Sequence, residues 1–174
     1  VSSFVLSKDY RDESLLELLE LLLGKYFNAI DSLKPALPLI LESLTKLVLA
    51  SNLSALKLVT EHFSDKIPAE VVDFASKLFL ELFNATGDDE FYCEKLRLCC
   101  EIVSIKNSGS IEEALSVDVL IQFVKSGKIR FPEQLRAVKV VLVGRSLSNE
   151  QIDELIEALL PALRSSNESW RQEA

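Results

Sequence analysis

The sequence predicts an all-α fold of about eight helices, and three observations carry that expectation. Apolar residues recur every three to four positions along nearly the whole chain, and no segment alternates strictly for long enough to propose a strand. Leu dominates the apolar set, and its unbranched side chain loses little rotamer freedom in a helix. Start and stop signals fall between the apolar runs: Pro at first turns, Ser or Asn at caps, Gly after last turns.

The first helix is expected over residues 12–30, where Leu15, Leu18, Leu19, Leu22 and Leu23 share a face and Glu13, Glu17 and Glu20 form a narrow polar stripe. Pro35 opens the second, running to about residue 50, because the N–H that Pro lacks is an orphan in a first turn anyway. Asn52 or Ser54 caps a short third helix that ends near Phe63. The fourth runs from Pro68 to Phe83 and must be covered on most sides, so Leu78 and Phe79 are expected to be buried. A turn with Gly87 precedes a fifth helix over residues 90–104. The small polar run Lys106-Asn107-Ser108-Gly109-Ser110 is a connection, followed by a sixth helix over 111–125. Gly127 and Pro132 bracket the next connection, and a seventh helix spans 132–143 with Gly144 at its end. Ser148, with Gln151 three residues on, reads as a capping box that starts an eighth helix reaching about residue 164.

No Gly/Ser-rich or Pro-rich linker divides the chain, so residues 1–174 read as one continuous helical array, a single domain with enough apolar material for a sizeable core. The net charge is −8, without a local basic stripe, which disfavours nucleic acid as a partner because phosphate binding is driven by Lys and Arg displacing counterions. The longest apolar run, residues 15–23, is broken by Glu17 and Glu20 and falls short of the roughly 20 residues of a membrane span. A start without Met or a signal-like segment suggests an internal piece of a longer protein. Cys99 and Cys100 are adjacent on a helix, where a bridge between them would be strained, and three cysteines without a signal sequence suit a cytoplasmic or nuclear location. The sequons at Asn52, Asn84 and Asn167 sit at helix boundaries, where cap or turn chemistry explains them.

Towards the end of the chain, Leu159, Leu160, Pro161, Ala162 and Leu163 are followed by the polar turn Ser165-Ser166-Asn167 and then by Trp170, Arg171 and Ala174. This pattern resembles a repeat of the HEAT/armadillo-type helical-repeat family, with Trp170 in place of the usual Val and without the common Asp in the turn. The resemblance implies a right-handed α-α superhelix, an α-solenoid of stacked antiparallel helix pairs. Its register pairs 35–50 with 52–63, 68–83 with 90–104 and 111–125 with 132–143, and makes the first helix the second half of an upstream repeat. Starts at 35, 68, 111 and 148 lie 33, 43 and 37 residues apart, near the roughly 40 to 47 of such arrays.

No catalytic, cofactor or metal site is expected. His62 is the only histidine and has no nucleophile motif around it; Cys93 and Cys100 lack two further zinc ligands; Asp88-Asp89-Glu90 lacks the ligand spacing of a calcium loop; and the glycines are too scattered to cradle a phosphate. What remains is surface. In a solenoid the second helices line the concave face, and their polar row here is Lys57 and Glu61, then Glu94, Arg97 and Glu101, then Arg136 and Lys139. The two ends are further candidates: Leu16 and Leu23 on a first helix too apolar for one neighbour to cover, unless Phe4, Val5 and Leu6 fold back over it, and Trp170 at the last. The expected role is a non-enzymatic protein-protein interaction scaffold or adaptor. Its partner is expected to be a basic peptide or another helical-repeat segment, or a second copy through an end helix. The alternatives are a transport-receptor-like or tubulin-binding-like solenoid, and a helical regulatory part of an enzyme whose catalytic domain lies outside this chain.

Overall fold

A computed structural model describes residues 13–26, 35–85, 91–106 and 109–174. Every regular element among them is helical: α1 (Glu13–Tyr26), α2 (Leu37–Leu49), α3 (Leu53–His62), α4 (Ala69–Asn84), α5 (Tyr92–Ile105), α6 (Gly109–Ala114), α7 (Val117–Lys125), α8 (Pro132–Leu142), α9 (Asn149–Leu163) and α10 (Glu168–Glu173), with a 3-10 turn at Ser64–Lys66. The expectations placed on Phe4 to Leu6, on Gly87 to Glu90 and on Asn107-Ser108 lie outside the described residues. Two compact units divide the chain, Val1–Phe74 and Ala75–Ala174, and their boundary falls inside α4.

In the first unit α3 packs against both α1 and α2. Ile40, Leu44, Leu47 and Val48 of α2 bury against this core with Leu56 and Val59 of α3. Leu16, Leu19 and Leu23 are buried on α1, because spacings of three and four residues return to the same face. That phase corrects the expectation of Leu16 and Leu23 as an exposed end surface: the exposed residues are Leu18, at 46%, and Leu21, at 50%. The α2–α3 turn is closed by Ser51 N–H donating to the Val48 carbonyl at 2.8 Å and Asn52 N–H donating to the Leu47 carbonyl at 3.0 Å, with Ser51 at φ +64°. This is a Schellman ending carried by Ser where Gly is usual. Asn52 then caps α3 by accepting from Ala55 N–H at 2.9 Å. Pro68 opens α4 as expected, its carbonyl accepting from Val71 and Val72 N–H at 3.1 Å each.

In the second unit α8 is central and packs on α5, α7 and α10, while α9 packs on α7 and α10. Phe79 is fully buried, whereas Leu78 is half-buried. The Phe83 ring lies 4.4 Å from that of Phe123. The continuous helix expected over 111–125 is broken into α6 and α7. Ser116 turns extended and its Oγ accepts from Val119 N–H at 3.3 Å, so a local cap with Asp118 in the next turn outcompetes helix continuation. Arg145 Nη1 donates to the Leu115 carbonyl at that break, and its Nε and Nη2 are shielded without a hydrogen-bond partner. At the start of α9, Gln151 N–H donates to Ser148 Oγ at 3.2 Å and Ser148 N–H donates to Gln151 Oε1 at 3.0 Å, the expected capping box. Helix α9 continues through Pro161 to Leu163. Asn167 caps α10 by accepting from Ser169 N–H at 2.9 Å, and Arg171 Nη1 closes the intervening turn by donating to the Ser165 carbonyl at 2.7 Å.

Candidate functional site

The polar groups inside the second unit hold it together. Tyr92 Oη donates to the Leu82 carbonyl at 2.9 Å and accepts from Gln134 Nε2 at 3.1 Å, both bonds buried. Gln134 Oε1 in turn accepts from Arg130 N–H at 2.7 Å and Phe131 N–H at 3.2 Å, ordering the turn into α8. Burial raises the Tyr92 phenol above its ordinary value despite the Gln134 bond, so it stays a neutral hydrogen-bond partner.

The cysteines are unbridged and all sit on α5. Burial, with the Glu133 carboxylate nearby, pushes the Cys93 thiol up to about 11. Burial pushes Cys100 up to about 12 and also raises Cys99. Thiolate is the nucleophilic and metal-binding form, and these surroundings disfavour it. Among the described residues no group of three His, Cys, Asp or Glu side chains is placed to hold a metal ion, and no helix is long and apolar enough to cross a membrane. His62 lies in the last turn of α3 and borders a cleft of about 470 Å³ with Leu37, Leu41, Phe63 and Asp65.

The expected polar row divides between the units. Lys57 and Glu61 are on α3, and Lys57 Nζ lies 3.4 Å from Glu20 Oε1 of α1. In the second unit Glu94, Arg97 and Glu101 on α5 and Arg136 and Lys139 on α8 belong to two helices that pack together. Arg97 pairs with Glu101 at 2.6 Å along the same helix, and Arg136 Nε lies 3.9 Å from Glu173 Oε1 of α10. Lys139 borders a cleft of about 310 Å³ whose walls include Val138, Leu142, Leu155, Leu159 and Glu173. Trp170 is half-buried within its own chain, bordering a cleft of about 560 Å³ with Val124, Ile129, Leu135, Ala158 and Ala162. Lys57, Arg97, Glu101 and Arg136 of the row are thus paired within the chain, while Glu61, Glu94 and Lys139 form no ion pair among the described residues.

A different surface is left uncompensated. None of the residues of α9 is buried, and Ile152, Ile156 and Leu163 are exposed at 39%, 51% and 43%. At about 100° per residue these positions fall within about 40° of one another, a single outward strip. Periodicity marked α9 as amphipathic, but only its packing partners decide which apolar residues turn inward. No protein-family model, curated protein or solved structure matches this chain.

Proposed function

We propose that the chain is a non-enzymatic protein-binding scaffold segment built of HEAT-like helix pairs. The order of helix packing supports this reading. In a two-layer solenoid, pair partners touch, first helices touch first helices, and second helices touch second helices. With α2/α3, α7/α8 and α9/α10 as pairs, and α1 and α5 as second helices, the principal packings within each unit are of those three kinds. The pair contacts are α2 with α3, α7 with α8 and α9 with α10; the second-helix contacts are α1 with α3, α5 with α8 and α8 with α10; and α7 with α9 is the first-helix contact. A closed bundle would add contacts between a first helix and the second helix of another pair.

A partner polypeptide lies, in this reading, along the outer faces of such helices, in a reducing compartment that suits three unbridged cysteines. Photo-crosslinking residues placed at Glu61, Glu94, Lys139 and Ile156 of the full chain test it in an extract of the cells that make the protein. A discrete polypeptide adduct at one or more positions is expected. The absence of an adduct at all four overturns the reading.

A further inference from the structure

The inner flanks of α9 are occupied. Gln151 Nε2 donates to Asp118 Oδ1 at 2.7 Å and Glu154 pairs with Lys125 at 3.0 Å, both on α7, while Leu155 and Leu159 border the cleft with α8. The outer strip of Ile152, Ile156 and Leu163 carries no such neighbour, and its rim is acidic. Helix α9 contains Glu150, Asp153, Glu154 and Glu157 and no Lys or Arg; Arg164 follows at its C-cap. Glu150, Asp153 and Glu157 are exposed and form no ion pair among the described residues. Asp153 lies about 80° from the centre of the strip, and Glu157, about 120° from it on the same side, also borders the cleft with Trp170.

We propose that this face of α9 docks a basic amphipathic helix of a partner protein, with apolar anchors on the Ile152–Ile156–Leu163 strip and Lys or Arg against Asp153 and Glu157. The inference rests on the scaffold reading and names its partner's chemistry. A straight strip running from residue 152 to 163, about 16 Å at 1.5 Å per residue, fits a helix whose anchors recur every three to four residues. The rim charge selects the occupant. A second copy docked about a twofold axis would set Asp153 and Glu157 of each chain against the same acids, a like-charge contact that disfavours the pair. An anionic lipid surface is disfavoured for the same reason, since helices lying on membranes carry Lys and Arg on their polar faces.

Fluorescence anisotropy on the full chain tests the proposal with three labelled synthetic helices of about 16 residues, long enough to cover the strip. One carries Leu every three to four positions with Lys between, the second has Glu in place of Lys, and the third scrambles the first at equal charge. Saturable binding of the Lys helix alone is expected. Ile152→Ser/Ile156→Ser changes only exposed side chains and should weaken that binding roughly tenfold or more, in keeping with loss of an apolar anchor pair. Asp153→Lys/Glu157→Lys should exchange the preference, so that the Glu helix binds and the Lys helix does not. Circular dichroism establishes that both variants keep the helical fold. Equal binding of the scrambled helix, binding unchanged in both variants, or no binding of the Lys helix overturns the proposal. Because crosslinks at Glu61, Glu94 or Lys139 would still report a partner elsewhere, failure on α9 is distinguishable from failure of the scaffold reading.

Discussion

A single buried amide shows how much one residue can hold. Gln134 is 3% exposed and joins Tyr92 to the backbone of the turn before α8. Gln134→Ala removes one of the two hydrogen bonds of the Tyr92 hydroxyl and the side-chain acceptor of the Arg130 and Phe131 N–H groups, and is expected to cost about 2 kcal/mol in urea unfolding. Tyr92→Phe should cost about 1 kcal/mol, and the double variant less than the sum, because both remove the same bond. Ser51 works in the other direction: at φ +64° an L side chain is strained, so Ser51→Gly should stabilise by about 0.5 to 1 kcal/mol and raise the thermal midpoint. The thiols give a pH signature. Their ordinary value is 9.0 and burial raises them in the folded chain, so below pH 9 both states are protonated and stability is unaffected. Above it the unfolded thiols ionise first, and stability falls as pH rises towards the folded values. Urea midpoints should be flat near neutrality and drop above pH 9; midpoints constant to pH 10.5 would contradict the burial of Cys99 and Cys100. The caps at Asn52, Ser148 and Asn167 are legible in sequence because each is local. The Gln134–Tyr92 bond spans 42 residues, and no local pattern tells one buried polar side chain which other it will meet.

At the scale of elements, apolar period identified every long helix, while competition at the ends decided the details. Ser116 divides an apolar run that periodicity alone joins, since a hydroxyl cap costs the helix only a local bond. The Ser148 box is reciprocal, with both bonds formed, and Ser148→Ala should lower stability by about 1 kcal/mol without changing the helical circular-dichroism signal. Phe79, buried in α4, should cost about 3 to 5 kcal/mol as Phe79→Ala in reversible denaturation, and a change under about 1 kcal/mol would contradict its burial. The apolar face expected of α1 holds for Leu19 and Leu23 but not for Leu18, which is exposed while Leu16 is buried. Its Leu residues surround most of the helix, so the packing of α3 selects Leu16, Leu19 and Leu23 and leaves Leu18 and Leu21 outside. On α9 the sequence points to Leu155, Leu159 and Leu163 as the apolar patch at that end; Leu163 is exposed, Leu155 and Leu159 are half-buried, and Ile152 and Ile156 are exposed beside it.

For the molecule as a whole, charge sets behaviour in solution. A net charge of −8 at neutral pH falls to zero near pH 4.8, where proteins associate most readily. Light scattering should therefore rise as pH approaches 4.8, and if acids on α9 keep copies apart, Ile152→Ser/Ile156→Ser should suppress that rise. Association unchanged by the pair would place the contact on another surface, with Leu18 and Leu21 of α1 the next to test. The packing order also bears on how fast the protein is made usable. Among the described residues the principal packings within each unit join helices at most three elements apart along the chain, as α5 and α8. Short closures of this kind give low contact order and folding in the microsecond-to-millisecond range. Synthesis at about 5 to 20 residues per second is far slower than that. The α2–α3 hairpin can thus settle while α8 is still being translated, so the nascent chain spends little time with its leucines open to aggregation.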